Sequence, residues 1–215
     1  MPRFGKDLAP PIVALGLLLA ACHPTGVETI QDLDTVATTR DPNFNFAAPT
    51  TYKLPVTIPL ITTDDDPTIR PPDLLPADLT QLILSTIDTE MTAQGYVNVS
   101  LADGGSSAAS DLVVTASALK VTNISYYYQY WCGYWGYYYQ PCYPYYPPVA
   151  VSSYVVGSLI IDLTPFPPDT SGTRELGVWT ALIRGIQSGV PSTDRARIVN
   201  GISQAFSQSS SYLGK

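Results

Sequence analysis

The apolar pattern of residues 175–184 predicts a β-strand that is apolar on both of its faces. Val178 and Leu182 fall on one face, and Trp179 and Ile183 fall on the other, because successive side chains of a strand point to opposite sides of the sheet. Such a strand is stable only when both faces are shielded from water. The segment therefore predicts a strand that is covered on both faces of its sheet.

Four other segments are rich in the β-branched and aromatic residues that favour strands. They are residues 44–55, 96–101, 111–124 and 153–163. In the last of these, one side is apolar throughout and the other side is half apolar. Prolines 49, 55 and 59 cannot donate the N–H hydrogen bond of an interior strand, so the first segment is predicted to lie at a sheet edge.

Two segments predict amphipathic helices. From Asp73 to Gly95, apolar residues recur at the spacings of three and four that place them on one helix face. A second helix is predicted after Ser192 or Thr193, either of which can cap its N-terminus. The order strand, helix, four strands and helix predicts an α+β domain: a mainly antiparallel sheet with two helices packed on one face.

The first 22 residues have the features of a lipoprotein signal peptide. Two basic residues, Arg3 and Lys6, precede the apolar run 12–21, which ends at Cys22. A membrane-spanning helix needs about 20 apolar residues, and this run has ten. The sequence Leu-Ala-Ala-Cys at 19–22 resembles the lipobox of bacterial lipoproteins, in which the cysteine is diacylated before cleavage. Ordinary secretory cleavage before a cysteine is the alternative.

Lipidation of Cys22 implies a protein that is held on a membrane by several acyl chains, palmitate among them, without spanning it. The next residue is His23 rather than the aspartate that usually retains enteric lipoproteins in the inner membrane. We therefore predict attachment to the outer membrane of the bacterial cell envelope, facing the periplasm.

Charge and histidine content exclude several function classes. With a net charge of −7, the chain lacks the basic surface that binds nucleic acid. The single histidine, His23, lies beside the cleavage site, which removes imidazole-based catalysis and the commonest metal ligand from the folded domain. The pair Asp162 and Glu175 is a candidate for acid–base chemistry, and solvated carboxylates are the alternative. We predict no catalytic residues, no metal and no cofactor.

Cys132 and Cys142 are predicted to form a disulfide. They bracket a short stretch of turn-forming residues, and thiols in an oxidising compartment usually pair. A redox motif would need Cys-x-x-Cys, and a zinc site would need further Cys or His ligands.

Residues 126–146 hold eleven of the fifteen tyrosines and two of the three tryptophans. They interrupt the connection between two predicted strands, and we interpret them as an extended hairpin that is pinned by Cys132 and Cys142. Tyrosine and tryptophan combine a large rigid surface with a polar edge, which suits recognition. The candidate contact residues are Tyr126, Tyr128, Tyr130, Trp131, Tyr134, Trp135, Tyr137, Tyr138, Tyr139, Tyr143, Tyr145 and Tyr146. The alternatives are packing on the hairpin's own domain, self-association, contact with glycans, and membrane insertion.

The chain resembles bacterial envelope lipoproteins that carry domain of unknown function 4136. Besides the lipobox, the motifs that carry the resemblance are Thr51-Tyr52, Gly95-Tyr96, Asp-Leu-Val-Val at 111–114, Gly-Ser-Leu-Ile-Ile-Asp at 157–162, and Val178-Trp179. They span roughly residues 40 to 208. The family's usual acidic residue is absent from Thr-Pro-Phe at 164–166, and its usual Trp-Arg/Gln-Gly is Trp-Thr-Ala at 179–181. The resemblance implies no catalytic residues.

The sequence thus divides into a signal peptide (1–21), a tether (22–42), one α+β domain (43–208) and a tail (209–215). Its features favour a non-enzymatic binding or structural role in the envelope, with a protein partner or self-association through the aromatic residues. The alternative is a glycan-binding or glycan-active protein that stacks Tyr and Trp rings on sugars.

Replacing Cys22 with Ser is expected to abolish acylation and to release the protein from membranes, because the lipid is joined to the thiol. Membrane fractionation and intact mass measure both effects, and Cys132→Ser is the matched control, which should stay acylated. A Cys22→Ser variant that still sediments with membranes, beside wild-type protein without lipid mass, would contradict the assignment.

Overall fold

The computed structural model describes residues 35–62, 73–100, 110–120, 157–166, 177–186 and 190–214. The elements in these ranges are β1 (Val36–Arg40), β2 (Thr51–Lys53), β3 (Pro59–Thr62), β4 (Asp73–Leu74), α1 (Ala77–Ala93), β5 (Val97–Asn98), β6 (Leu112–Lys120), β7 (Ser158–Pro165), β8 (Trp179–Arg184) and α2 (Pro191–Leu213).

The strands form one mixed sheet in which antiparallel pairs predominate. β1, β8, β7 and β6 lie side by side and antiparallel. β2 and β3 both pair with β6 in parallel. Outside them, β5 is parallel to β2 and β4 is antiparallel to β3. With the two helices, this sheet confirms the predicted α+β class.

Both helices pack on one side of this sheet, which we call the first face. The buried helix residues Ile83, Ile87, Ile202 and Phe206 share a core with first-face residues of β6, β7 and β8. The Trp179 ring lies 5.0 Å from that of Phe206, centroid to centroid. Residues 179–183 of β8 are buried between β1 and β7, in agreement with the two-sided apolar pattern.

The helices lie beside each other with their N-termini at the same end. Arg195 near the start of α2 forms an ion pair with Asp78 near the start of α1. Further along, the Ser203 hydroxyl donates to Glu90 Oε1 at 2.6 Å. The two helices are therefore parallel.

Gly95 ends α1 and returns the chain to the sheet. Its φ is 94°, a conformation that costs glycine little. The N–H of Gly95 donates to the Thr92 carbonyl, and that of Tyr96 donates to the Met91 carbonyl, which is the Schellman pattern. Tyr96 is thereby directed into the core, where it is 2% exposed.

The structured part of the chain extends further at both ends than the sequence pattern indicates. Residues 36–40, assigned to the tether, form β1, and α2 continues through residues 209–213, which were assigned to the tail. The helix begins at Pro191, without a side-chain cap from Ser192 or Thr193. Proline suits the first helical position because its missing N–H would have no partner there.

β1 is an edge of the described sheet, and a helix side chain covers part of it. Gln208 Nε2 donates to the Val36 carbonyl at 3.5 Å and to Thr38 Oγ1 at 3.2 Å. This contact ties α2 to β1, the first strand in the described part of the chain. Among the described helices, neither is long and apolar enough to cross a bilayer.

Gly201 lets α2 approach β8 closely, which generates a stability prediction. A Cβ at this position would lie 2.4 Å from Ile183 Cγ2. Gly201→Ala is therefore expected to destabilise by about 1–3 kcal/mol through overpacking, although alanine has the higher helix propensity. Chemical denaturation measures the loss.

The matched control is Gly201→Ala combined with Ile183→Leu, because leucine has no Cγ2 methyl at that position. The double variant should recover part of the loss. If Gly201→Ala alone stabilises the protein, the close approach does not limit this site.

Candidate functional site

The site residues predicted from the sequence lie outside the described residues. These are Cys22, the pair Cys132 and Cys142, and the aromatic residues of 126–146. The structure nevertheless describes the strands that flank them. It therefore fixes the points at which these segments join the domain.

The aromatic segment and the tether join the sheet at the same end. Residues 121–156 connect the last residue of β6 to β7, which pairs with β6 in register Ala118↔Leu159. Leu159 in turn pairs with Ile183, and Ile183 pairs with Val36 at the start of β1. β1 and β6 are three strand positions apart, or about 14 Å at the usual strand spacing. We call this edge the tether end of the sheet.

The opposite end of the sheet is held by a carboxylate, Asp111. Its Oδ2 accepts hydrogen bonds from the backbone N–H groups of Thr50 and Thr51 at 2.7 and 2.9 Å. It also accepts bonds from their hydroxyls at 3.1 and 2.9 Å. The Asp111 N–H donates to Thr51 Oγ1 at 3.0 Å. Asp111 thus aligns the start of β2 with the start of β6, although the two segments are 60 residues apart in sequence.

These hydrogen bonds stabilise the charged form of Asp111. The backbone N–H groups of Thr50 and Thr51 lower the pKa of its carboxyl from 3.8 to about 2, and their hydroxyls contribute in the same direction. The side chain is exposed to solvent, which screens the interaction and limits its contribution to stability.

A second carboxylate, Asp88 of α1, joins the helix to the sheet. Asp88 Oδ1 accepts a 2.5 Å hydrogen bond from the Tyr52 hydroxyl and another of 2.5 Å from Asn98 Nδ2. Burial and the bond to Asp88 raise the pKa of Tyr52 well above its usual value. The Tyr52 side chain is fully buried, so this cluster fixes the position of α1 over β2 and β5.

The indole of Trp179 is fixed by α2. Its Nε1 donates to Ser209 Oγ at 2.9 Å, and the Tyr212 hydroxyl donates to the same oxygen at 2.9 Å. Arg40 lies over the Tyr212 ring, 4.4 Å from its centroid, in a cation–π contact. The network joins the end of α2 to β8 and β1.

Of the acid–base pair considered from the sequence, only Asp162 lies within the described residues. Asp162 is 2% exposed on β7 and accepts a 2.5 Å hydrogen bond from Thr180 Oγ1. Glu175 lies outside the described residues. In the described part of the chain, no group of three or more His, Cys, Asp or Glu side chains is arranged to hold a metal ion.

Two sets of contacts were not predicted from the sequence. One joins Asp88 to Tyr52 and Asn98. The other joins Asp111 to Thr50 and Thr51. The sequence contains Thr51-Tyr52 and Asp111 as parts of two recognisable motifs, but it gives no pairing between them. Their hydrogen bonds hold backbone and helix in place. The chemistry of these clusters is therefore that of a structural framework.

The family model for a domain of unknown function, DUF4136, matches residues 36–209. A crystal structure of a DUF4136 family protein from Bacteroides thetaiotaomicron is similar, with 28% identity and a TM-score of 0.60. The match covers 84% of this chain and 97% of that one. No curated protein matches the chain.

Two more distant structures are also similar. The PelC dodecamer from Paraburkholderia phytofirmans has 14% identity and a TM-score of 0.35, and the match covers 79% of this chain and 96% of that one. A DUF330 protein from Xanthomonas campestris has 11% identity and a TM-score of 0.32, with 82% and 90% covered. Neither score supports a functional comparison.

The Asp111 contacts generate a pH prediction. Because the folded-state pKa is about 2, below the ordinary 3.8, the ionised carboxylate stabilises the fold above pH 4. This stability is lost as the pH falls from about 4 towards 2. Asp111→Asn should therefore lower stability at pH 7 by about 1 kcal/mol, allowing for solvent screening.

Thermal unfolding of wild type and variant between pH 7 and 2 tests this, and the difference in Tm should shrink towards pH 2. Asp73→Asn, at an exposed residue of β4, controls for the loss of one negative charge. A difference that stays constant down to pH 2 would show that the contacts do not depend on ionisation.

Proposed function

The chain belongs to the DUF4136 family, and we propose that it is an outer-membrane lipoprotein facing the periplasm with a non-enzymatic binding role. Its anchor is the lipidated Cys22, and its contact surface is formed by aromatic residues of 126–146. The partner is another component of the envelope. The predicted disulfide between Cys132 and Cys142 restrains the loop that carries these residues.

The observation that carries the proposal is the common tether end of the sheet. The chain enters the domain at Val36, and the aromatic segment leaves after Lys120 and returns before Ser158, all at this end. Residues 23–35 reach at most about 45 Å when fully extended. Together with the separation of about 14 Å between β1 and β6, this reach limits the distance from the anchor to the attachment points of the aromatic segment to about 60 Å.

The aromatic composition suits protein recognition. Tyrosine and tryptophan contribute large contact areas at a low cost in side-chain entropy, and they are the residues most often found to dominate binding energy. The net charge of −7 disfavours anionic partners. A neutral or basic protein surface at the membrane is therefore the favoured partner.

The test uses the full lipoprotein and in vivo crosslinking. The variant Tyr137→Ser, Tyr138→Ser and Tyr139→Ser should lose a specific crosslinked partner at least tenfold while its membrane fractionation stays unchanged. The matched control is Val56→Ser with Val97→Ser, because these two residues are 88% and 58% exposed elsewhere on the domain. Equal crosslinking by both variants would exclude the aromatic segment as the contact.

A glycan ligand is the other outcome to be distinguished. Stacking of sugars on Trp131 and Trp135 would quench their fluorescence when peptidoglycan fragments are added. If quenching saturates and no crosslinked protein is found, the ligand is a glycan and not a protein.

A further inference from the structure

β1 is the most weakly packed of the four antiparallel strands. Four of its side chains are half-buried and that of Arg40 is exposed, whereas nearly every residue of β6, β7 and β8 is buried. In the described sheet, β8 is the only strand beside it. Burial of apolar area supplies most of the free energy that holds a strand in place. Separation of β1 therefore costs much less than separation of its neighbours.

Contacts from α2 hold β1 against the sheet. Gln208 Nε2 donates to the Val36 carbonyl and to Thr38 Oγ1, and Arg40 lies over the Tyr212 ring. Gln208 and Arg40 are exposed to solvent, where the net gain from a polar contact is small because water competes for the same groups. α2 keeps its place without these contacts, because its own apolar residues are buried in the core.

Phe44 and Phe46 set the point at which a separation of β1 ends. The Phe46 ring is 4% exposed and lies 4.8 Å from that of Phe44 and 5.5 Å from that of Tyr212, centroid to centroid. The Tyr96 hydroxyl donates to the Phe46 carbonyl at 3.3 Å. Residues 41–43, between β1 and these rings, are half-buried or exposed. The chain is therefore fixed to the core from Phe44 onward.

We propose that residues 36–43 form a strap that separates from β8 as one unit while the rest of the domain stays folded. The contacts of Gln208 and Arg40 keep the strap closed. Residues 23–35 reach about 45 Å when fully extended, and residues 23–43 reach about 70 Å. Release of the strap therefore lengthens the tether of an anchored domain by roughly half. The added reach rests on the proposed lipid anchor, whereas the separation of the strap does not.

Hydrogen exchange of the full-length protein at residue resolution tests the strap. The Asp41 N–H donates to the Val178 carbonyl, and the alternation of an antiparallel pair directs the N–H groups of Ala37 and Thr39 towards β8 as well. These three strap amides should exchange at least about 100-fold faster than the slowest amides of β6 and β7. Their exchange should also depend less on urea, because a local opening exposes little surface.

Two results of this measurement would overturn the proposal. If the strap amides exchange with the rates and urea dependence of β6 and β7, β1 opens only when the whole domain unfolds. If Ala37 exchanges fast but Asp41 exchanges only on global unfolding, the strand frays from one end and is not released as a unit.

Two variants separate release of the strap from unfolding of the domain. Gln208→Ala removes contacts that only the closed strap makes, so it should speed exchange of the strap amides about three- to tenfold. Ile87→Val shortens a side chain of α1 that is buried in the core and stays buried when the strap opens. It should speed the slowest amides of β6 and β7 about three- to tenfold and leave the strap amides unchanged.

The matched control is Gln204→Ala, at an exposed residue one turn before Gln208 on α2. It makes the same change in helix propensity and should leave the strap amides unchanged. The proposal is wrong if Ile87→Val speeds the strap amides as much as those of β6 and β7, or if Gln208→Ala has no effect on them. The readout needs neither lipid nor partner, so its failure is distinguishable from failure of the anchor or of the binding role.

Discussion

The fold depends on the burial of β6, β7 and β8 on both sides. Nearly every residue of these strands is buried, so the three strands cannot be stable as a sheet with one wet face. The helices satisfy one side, with the Trp179 indole fixed between Phe206 and Ser209. The remaining elements serve this central layer: β1 closes one edge, and β2 and β3 line the other.

The parts that the sequence predicts well are those whose pattern is local. The stripe of Ile83, Ile87 and Met91 indicates α1, and Gly95 indicates its end, because helical spacing and a left-handed cap are both properties of neighbouring residues. The apolar run of β8 likewise predicts burial without knowledge of its partners. For the same reason, the α+β class follows from the order of the elements.

The parts that the sequence does not predict depend on contacts between distant residues. Nothing near Thr51 shows that its hydroxyl meets Asp111, or that Tyr52 reaches Asp88 on α1. β1 has no alternating apolar pattern, and its strand conformation follows from pairing with β8. The motifs that carried the family resemblance, Thr51-Tyr52, Asp111 and Val178-Trp179, prove to be contact points of this framework. These motifs therefore report on the fold, whereas the predicted site residues lie outside the described part of the chain.

The contact of Gln208 with β1 has a consequence for how copies of this domain meet each other. An uncovered strand edge offers backbone groups to which a second strand can add, and natural proteins protect such edges. Gln208 occupies the Val36 carbonyl and the Thr38 hydroxyl, and it belongs to a helix that does not move away from the sheet without exposing Phe206. The side chain that packs α2 against β1 thus also occupies part of the strand edge to which a second strand could add.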